Sequence, residues 1–138
     1  MYELDFTSDS STLVTCGDDK KFKLWSTSTW SQIAGGDFDT GQKIYSCKFH
    51  QNGELIIGQE SGYVSRVSSS DYTTITSNIS YGTNIACVDV RWGTTTYIAA
   101  DRNSKGYTSL STSEIYDDSN TLRACAYSRT LDYFVFSG

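Results

Sequence analysis

The sequence predicts an all-β chain of propeller blades, each a four-stranded antiparallel sheet, about three and a half of them in a partial, open β-propeller. Three observations carry this. One phrase recurs: Leu4-Asp5-Phe6, then Leu13-Val14-Thr15-Cys16-Gly17, then Phe22-Lys23-Leu24-Trp25 is echoed by Cys47-Lys48-Phe49, Leu55-Ile56-Ile57-Gly58 and Tyr63-Val64-Ser65-Arg66-Val67, and again by Val88-Asp89-Val90, Tyr97-Ile98-Ala99-Ala100 and Tyr107-Thr108-Ser109-Leu110. Anchored on Phe6, Phe49, Val90 and Tyr127, the copies follow at periods of 43, 41 and 37 residues. Within each copy the apolar residues alternate over short runs between turn residues, the pattern of antiparallel meanders.

Taken in order, the first copy places strands near 2–7, 11–16, 21–26 and 30–34. Its first turn, Thr7-Ser8-Asp9-Ser10, matches His50-Gln51-Asn52-Gly53, where Asn-Gly is a strong hairpin signal. Its second, Gly17-Asp18-Asp19-Lys20, matches Gln59-Glu60-Ser61-Gly62. The second copy gives 44–49, 54–58, 63–68 and 72–76; the third, 85–90, 95–100, 106–111 and 113–116; the fourth, only 122–127 and 131–137. The blades divide near 1–40, 41–81, 82–120 and an incomplete 121–138, with fourteen strands and no helix longer than two turns. Closed propellers use roughly four to eight blades, because an open array leaves strand edges and apolar faces uncovered. The chain is therefore expected to be part of a longer chain or a multiprotein assembly, and to self-associate when isolated. A dimer of half-rings is the less favoured alternative.

Composition narrows the function. The 138 residues include no Pro and carry a net charge of −5, which argues against nucleic acid as a partner, since phosphate binding needs a basic surface. No apolar run approaches the ~18 residues of a transmembrane helix, and no leader pattern follows Met1. The expected location is cytoplasmic, with nucleus and cytoskeleton left open, and no membrane partner is expected. Cys16, Cys47, Cys87 and Cys125 stand at blade spacing, unlike the C-x-x-C of metal and redox sites, and are expected to be reduced core thiols.

At Gly17-Asp18-Asp19-Lys20-Lys21-Phe22-Lys23-Leu24-Trp25 the sequence closely resembles the WD40 repeat family, whose blades commonly end in a turn Asp followed by a hydrophobic-basic-hydrophobic-Trp-Asp run. Asp18 or Asp19 looks like the turn Asp and Trp25 like the repeat Trp. Ser26 replaces the final Asp, Val67 and Leu110 stand where later blades would have Trp, and the Gly-His pair is missing. The family's Asp-His-Ser/Thr-Trp hydrogen-bond network therefore cannot be built in full. The resemblance implies a noncatalytic scaffold that docks other proteins on its rim, with no cofactor. Trp25, expected to be largely buried, Asp19, Phe6 and Phe49 would be its structural residues.

Residue chemistry agrees with a scaffold. The single His50 sits in a hairpin turn among surface-type neighbours, so a nucleophile–base site is improbable. Asp37-Phe38-Asp39-Thr40-Gly41 has the outline of a calcium loop, but Lys48 stands where the bidentate Glu belongs. Asn78-Ile79-Ser80 matches the glycosylation pattern by chance, in a Ser-rich loop. What remains is a binding rim, made of inter-blade loops 35–43, 77–84 and 117–121 and turns 17–20, 59–62 and 101–106. Its candidate partner-binding residues are Phe38, Asp39, Tyr81, Asp18, Glu60 and Arg102. Phe38 and Tyr81 serve either as interface aromatics or as cover for their own blade edge. The alternatives are a small-ligand or glycan-binding propeller, disfavoured because Trp25, Trp30 and Trp92 are not repeat-equivalent, or the noncatalytic propeller portion of a larger enzyme.

Overall fold

The computed structural model describes residues 1–117, 120–128 and 133–138. Among them lie fourteen strands in four antiparallel sheets. The first sheet is β1 (Glu3–Phe6), β2 (Thr12–Cys16), β3 (Lys21–Ser26) and β4 (Ser31–Asp39). The second is β5 (Ile44–Phe49), β6 (Leu55–Gln59), β7 (Tyr63–Val67) and β8 (Ile75–Ser80). The third is β9 (Ile85–Val90), β10 (Tyr97–Asp101), β11 (Lys105–Thr108) and β12 (Ser111–Asp117); the fourth is the hairpin β13 (Ala124–Tyr127) with β14 (Phe134–Ser137). Each sheet is a meander in sequence order, and the β-propeller blades of the sequence are thus present, in an open array.

Turn shape repeats even where residues do not. Lys20, Gly62 and Ser104 occupy the same position between second and third strands, with φ of 64°, 84° and 76°. Ser10 and Gly53 share the equivalent shape one turn earlier, at 60° and 85°. In that earlier turn Asp9 accepts from the Ser11 amide (3.0 Å) and from the Thr7 and Ser11 hydroxyls, which holds its carboxyl down at about 2.

The fourth strands start or extend later than expected, β4 at 31–39 instead of 30–34 and β8 at 75–80 instead of 72–76. The cause is local. Trp30 and Tyr72 have φ of 52° and 53°, and the Asp71 carboxylate accepts from the Thr73 and Thr74 amides, so 71–74 is a side-chain-stabilised turn. The first halves of the supposed loops 35–43 and 77–84 are consequently strand, and Asn78 lies in β8 instead of a loop. Of the expected strand 131–137 and loop 117–121, residues 131–132 and 118–119 fall outside the described residues.

The sheets pack face to face. Val14, Cys16, Phe22 and Leu24 of the first sheet bury against Cys47, Phe49, Leu55 and Ile57 of the second. Ile56 and Val64 meet Ile85, Val88, Val90 and Tyr97 of the third. Two strand glycines permit close side-chain packing between sheets: a Cβ on Gly58 would lie 2.6 Å from Ile85, and one on Gly106 2.4 Å from the Phe136 ring.

The innermost strands are also clasped, by one rule repeated along the array. A side chain three residues before an anchor reaches the next blade two residues before its anchor. Glu3 accepts from the Cys47 amide (2.9 Å), Ser46 accepts from the Val88 amide (2.9 Å), and Cys87 is joined to Cys125 by a disulfide, Cα atoms 6.0 Å apart. One residue before the anchor, Asp5 accepts from the Phe49 amide (2.8 Å) and Asp89 from the Tyr127 amide (2.7 Å). Lys48, at that position in the second blade, pairs with Glu3 at 2.8 Å. Four reduced thiols were expected; Cys16 and Cys47 are free and buried, but blade spacing sets Cys87 opposite Cys125.

Strand parity decides where the expected structural residues lie. Phe6 pairs with Leu13 and Leu13 with Trp25, so these share the face turned away from the second sheet. Phe6 is 43% exposed, and Trp25 is covered but lies outside the buried core, with its indole N–H donating to Thr15 Oγ1 at 3.0 Å. Phe49 is in the core, and Asp19 is an exposed partner of Lys23.

Candidate functional site

At the end of the array where β1, β5, β9 and β13 begin, side chains from three blades form one continuous strip. Turn residues Asp18, Glu60 and Arg102 supply its charges, and their repeat-equivalent positions bring them to the same end. Lys43 joins the two acids, its ammonium 3.1 Å from Asp18 and 3.7 Å from Glu60. The Lys43 hydrogen bond holds the Asp18 carboxyl below its ordinary value, and the reciprocal bond raises Lys43. Two tyrosines fill the strip between the charges. Tyr2 donates to Asp18 (3.2 Å), Tyr45 donates to Glu60 (3.4 Å), and their rings lie 5.2 Å apart. The Arg102 guanidinium then stacks 4.2 Å above the Tyr45 ring, a cation–π contact that fixes its plane.

The strip rests on buried polar supports. Asp101, directly beneath Arg102 in sequence, is fully buried and fully satisfied. Its carboxylate accepts from the Asn103 amide (2.8 Å), the Lys105 amide (2.9 Å), the Tyr107 hydroxyl (3.0 Å) and the Thr83 hydroxyl. Blade 3 thus builds an Asp-centred network from Thr and Tyr, without the His and Trp expected of the resembled family. Blade 2 uses amides instead: the Ser65 hydroxyl bridges Gln59 (3.1 Å) and Asn78 (2.6 Å).

Three of the six expected rim residues therefore come together, and three do not. Phe38 lies in β4 opposite Phe22, ring centroids 5.7 Å apart, because β4 continues through its supposed loop. Asp39 ends β4 and caps the Gly41 amide at 2.8 Å. Tyr81 is 9% exposed and packs on Tyr107, ring centroids 4.4 Å apart, with its hydroxyl 3.2 Å from that of Tyr97. Burial, then the Tyr97 bond, pushes the Tyr81 phenol far up. Tyr2, Lys43 and Tyr45 were missed. A signal existed: Tyr2 and Tyr45 both stand four residues before an anchor.

Elsewhere the candidate chemistry is used structurally. His50 is buried, not surface-placed, with Nδ1 3.0 Å from Asn52 Oδ1. Asp37 pairs with Lys21 at 3.0 Å. Among the described residues, no group of three or more His, Cys, Asp or Glu could hold a metal. A cavity of about 300 Å³ where the innermost strands converge is lined by Glu3, Asp5, Lys48, Asp89 and Trp92, whose carboxylates already serve the clasps. Trp30, 69% exposed at a turn, and Trp25 lie outside it.

An open array of four-stranded antiparallel meanders, stacked face to face, defines a partial β-propeller. Residues 2–26 match the family model for the WD domain, G-beta repeat. That match, together with the four-stranded antiparallel sheets, is consistent with WD40 propeller blades. No match to the chain was found among curated proteins.

Proposed function

We propose that this chain is a noncatalytic docking module: part of a WD40-type propeller that binds partner proteins along the strip from Asp18 to Arg102. The strip itself carries the reading. It spans three blades, it is held from beneath by buried networks, and it presents aromatic and arginine side chains of the kind enriched in protein interfaces. Its charge runs from acidic at Asp18 and Glu60 to basic at Arg102, which fits a segment of the opposite polarity and not a uniformly anionic polymer. The propeller architecture supports the same reading by analogy.

The test is comparative affinity capture from the native cell with three forms of the protein. Partners bound by the unaltered chain should be lost with Lys43→Glu or Tyr45→Ala and retained with Thr29→Ala, an exposed turn position outside the strip. Capture that is indifferent to both strip substitutions would reject this surface.

A further inference from the structure

Beyond Tyr45 the strip opens into a cleft of about 400 Å³, lined by Ala86, Arg102, Thr121, Leu122 and Arg123. The repeat explains why space exists there. Tyr2, Tyr45, Ala86 and Arg123 are the four residues that stand four before an anchor. In the first two blades a tyrosyl ring fills this position. In the third, the small Ala86 stands there, and in the fourth, Arg123 adds a second arginine to the lining. Arg102, repeat-equivalent to Asp18 and Glu60, puts a positive charge where they put a negative one.

Both arginines have contacts that set them in place. Arg102 is stacked on Tyr45, and its amide donates to the Asn84 carbonyl at 2.9 Å. The Arg123 amide donates to the Ser137 carbonyl at 2.7 Å, anchoring its backbone at the root of β13. Among the described residues neither guanidinium meets a carboxylate, whereas Arg66 is paired with Glu54. Leu122, buried at 1% exposure, contributes an apolar lining residue, and Thr121 adds a hydroxyl. Two arginines lining one small cleft suit a planar anion, which a guanidinium fork can hold by two hydrogen bonds.

We infer that this cleft is a carboxylate subsite, taking an Asp or Glu side chain from an acidic segment of the docked partner protein. The inference rests on the proposed docking strip and assigns its basic end. A carboxylate fits better than a phosphate or nucleic acid. Asp18 and Glu60 lie on the same strip and the chain is net −5, so a doubly charged or polymeric anion is repelled more than a single carboxylate.

The experiment is fluorescence anisotropy with a labelled Gly-Glu-Gly-Glu-Gly peptide and its Gln counterpart. The Glu peptide should bind and the Gln peptide should not. Arg102→Gln and Arg123→Gln should each weaken binding about tenfold, the loss of one charge-assisted hydrogen-bonding partner. Arg102→Lys should also weaken it, since charge without the fork is insufficient, and Thr29→Ala, outside both cleft and strip, should leave it unchanged. Thermal melts of all variants separate loss of binding from loss of fold. Equal binding of both peptides, or binding untouched by the arginine substitutions in folded protein, overturns the inference. So does inorganic phosphate displacing the peptide at equal concentration. Those failures would leave partner capture by the strip intact, while capture indifferent to Lys43→Glu would fail the strip itself.

Discussion

Replacing Asp101 with Ala is expected to destabilise the protein by about 3–5 kcal/mol, because it strands four donors that now share one carboxylate. The Asn103 and Lys105 amides shape the turn that carries Arg102, and the Tyr107 and Thr83 hydroxyls tie that turn to the blade interior and to the preceding inter-blade loop. None of the four can turn to solvent without opening the rim, since Asp101 is fully buried. Asp101→Asn keeps both oxygen-to-amide bonds but presents an NH₂ to two hydroxyls, so it should cost about half as much. Urea unfolding of the three forms measures this. A loss below about 1 kcal/mol for the Ala variant would mean the network contributes little to stability.

Gly62→Ala is expected to rank next, at about 3 kcal/mol, through two separable causes. Gly62 has φ of 84°, where an L side chain is strained. A Cβ there would also lie 2.5 Å from the Thr83 amide nitrogen and 2.6 Å from the Thr83 carbonyl oxygen, backbone atoms that cannot rotate away. Gly82 isolates the first cause, because it has φ of 87° and nothing within 4 Å of its missing Cβ. Gly82→Ala should therefore cost only about 1–2 kcal/mol. The excess at Gly62 is the energy of the contact between blades 2 and 3 at the rim. Equal losses at the two glycines would show that this contact yields freely.

How far the sequence revealed the fold depended on which interactions are local. Turn residues and the repeat located strands such as 44–49 and 85–90 to the residue, since each opens on an Ile three residues after Gly41 or Gly82 and closes on its apolar anchor, Phe49 or Val90. The fourth strands were misplaced because Trp30 and Tyr72 look like strand residues but take left-handed turn conformations, and side-chain caps such as that of Asp71 have no hydrophobic period. Phe38 and Tyr81 were read as loop aromatics for the same reason. The site was half legible: turn equivalence placed Asp18, Glu60 and Arg102 on one end, but Lys43 and the two tyrosines join them only through contacts 15 to 57 residues apart in sequence. The clasp positions were hidden because Glu3, Ser46 and Cys87 do the same task with three different chemistries.

Rigid placement of the strip depends on those clasps between blades, so the amides they engage offer the most direct measurement. Hydrogen exchange followed residue by residue should find the Cys47, Phe49, Val88 and Tyr127 amides slow and similarly protected, because each donates to a side chain of the preceding blade. The amides of Leu4 and Phe6, at the equivalent positions of the first blade, should exchange markedly faster. Exchange at the four clasp amides as fast as at Leu4 and Phe6 would contradict a clasped array, and with it a strip held in one shape across three blades.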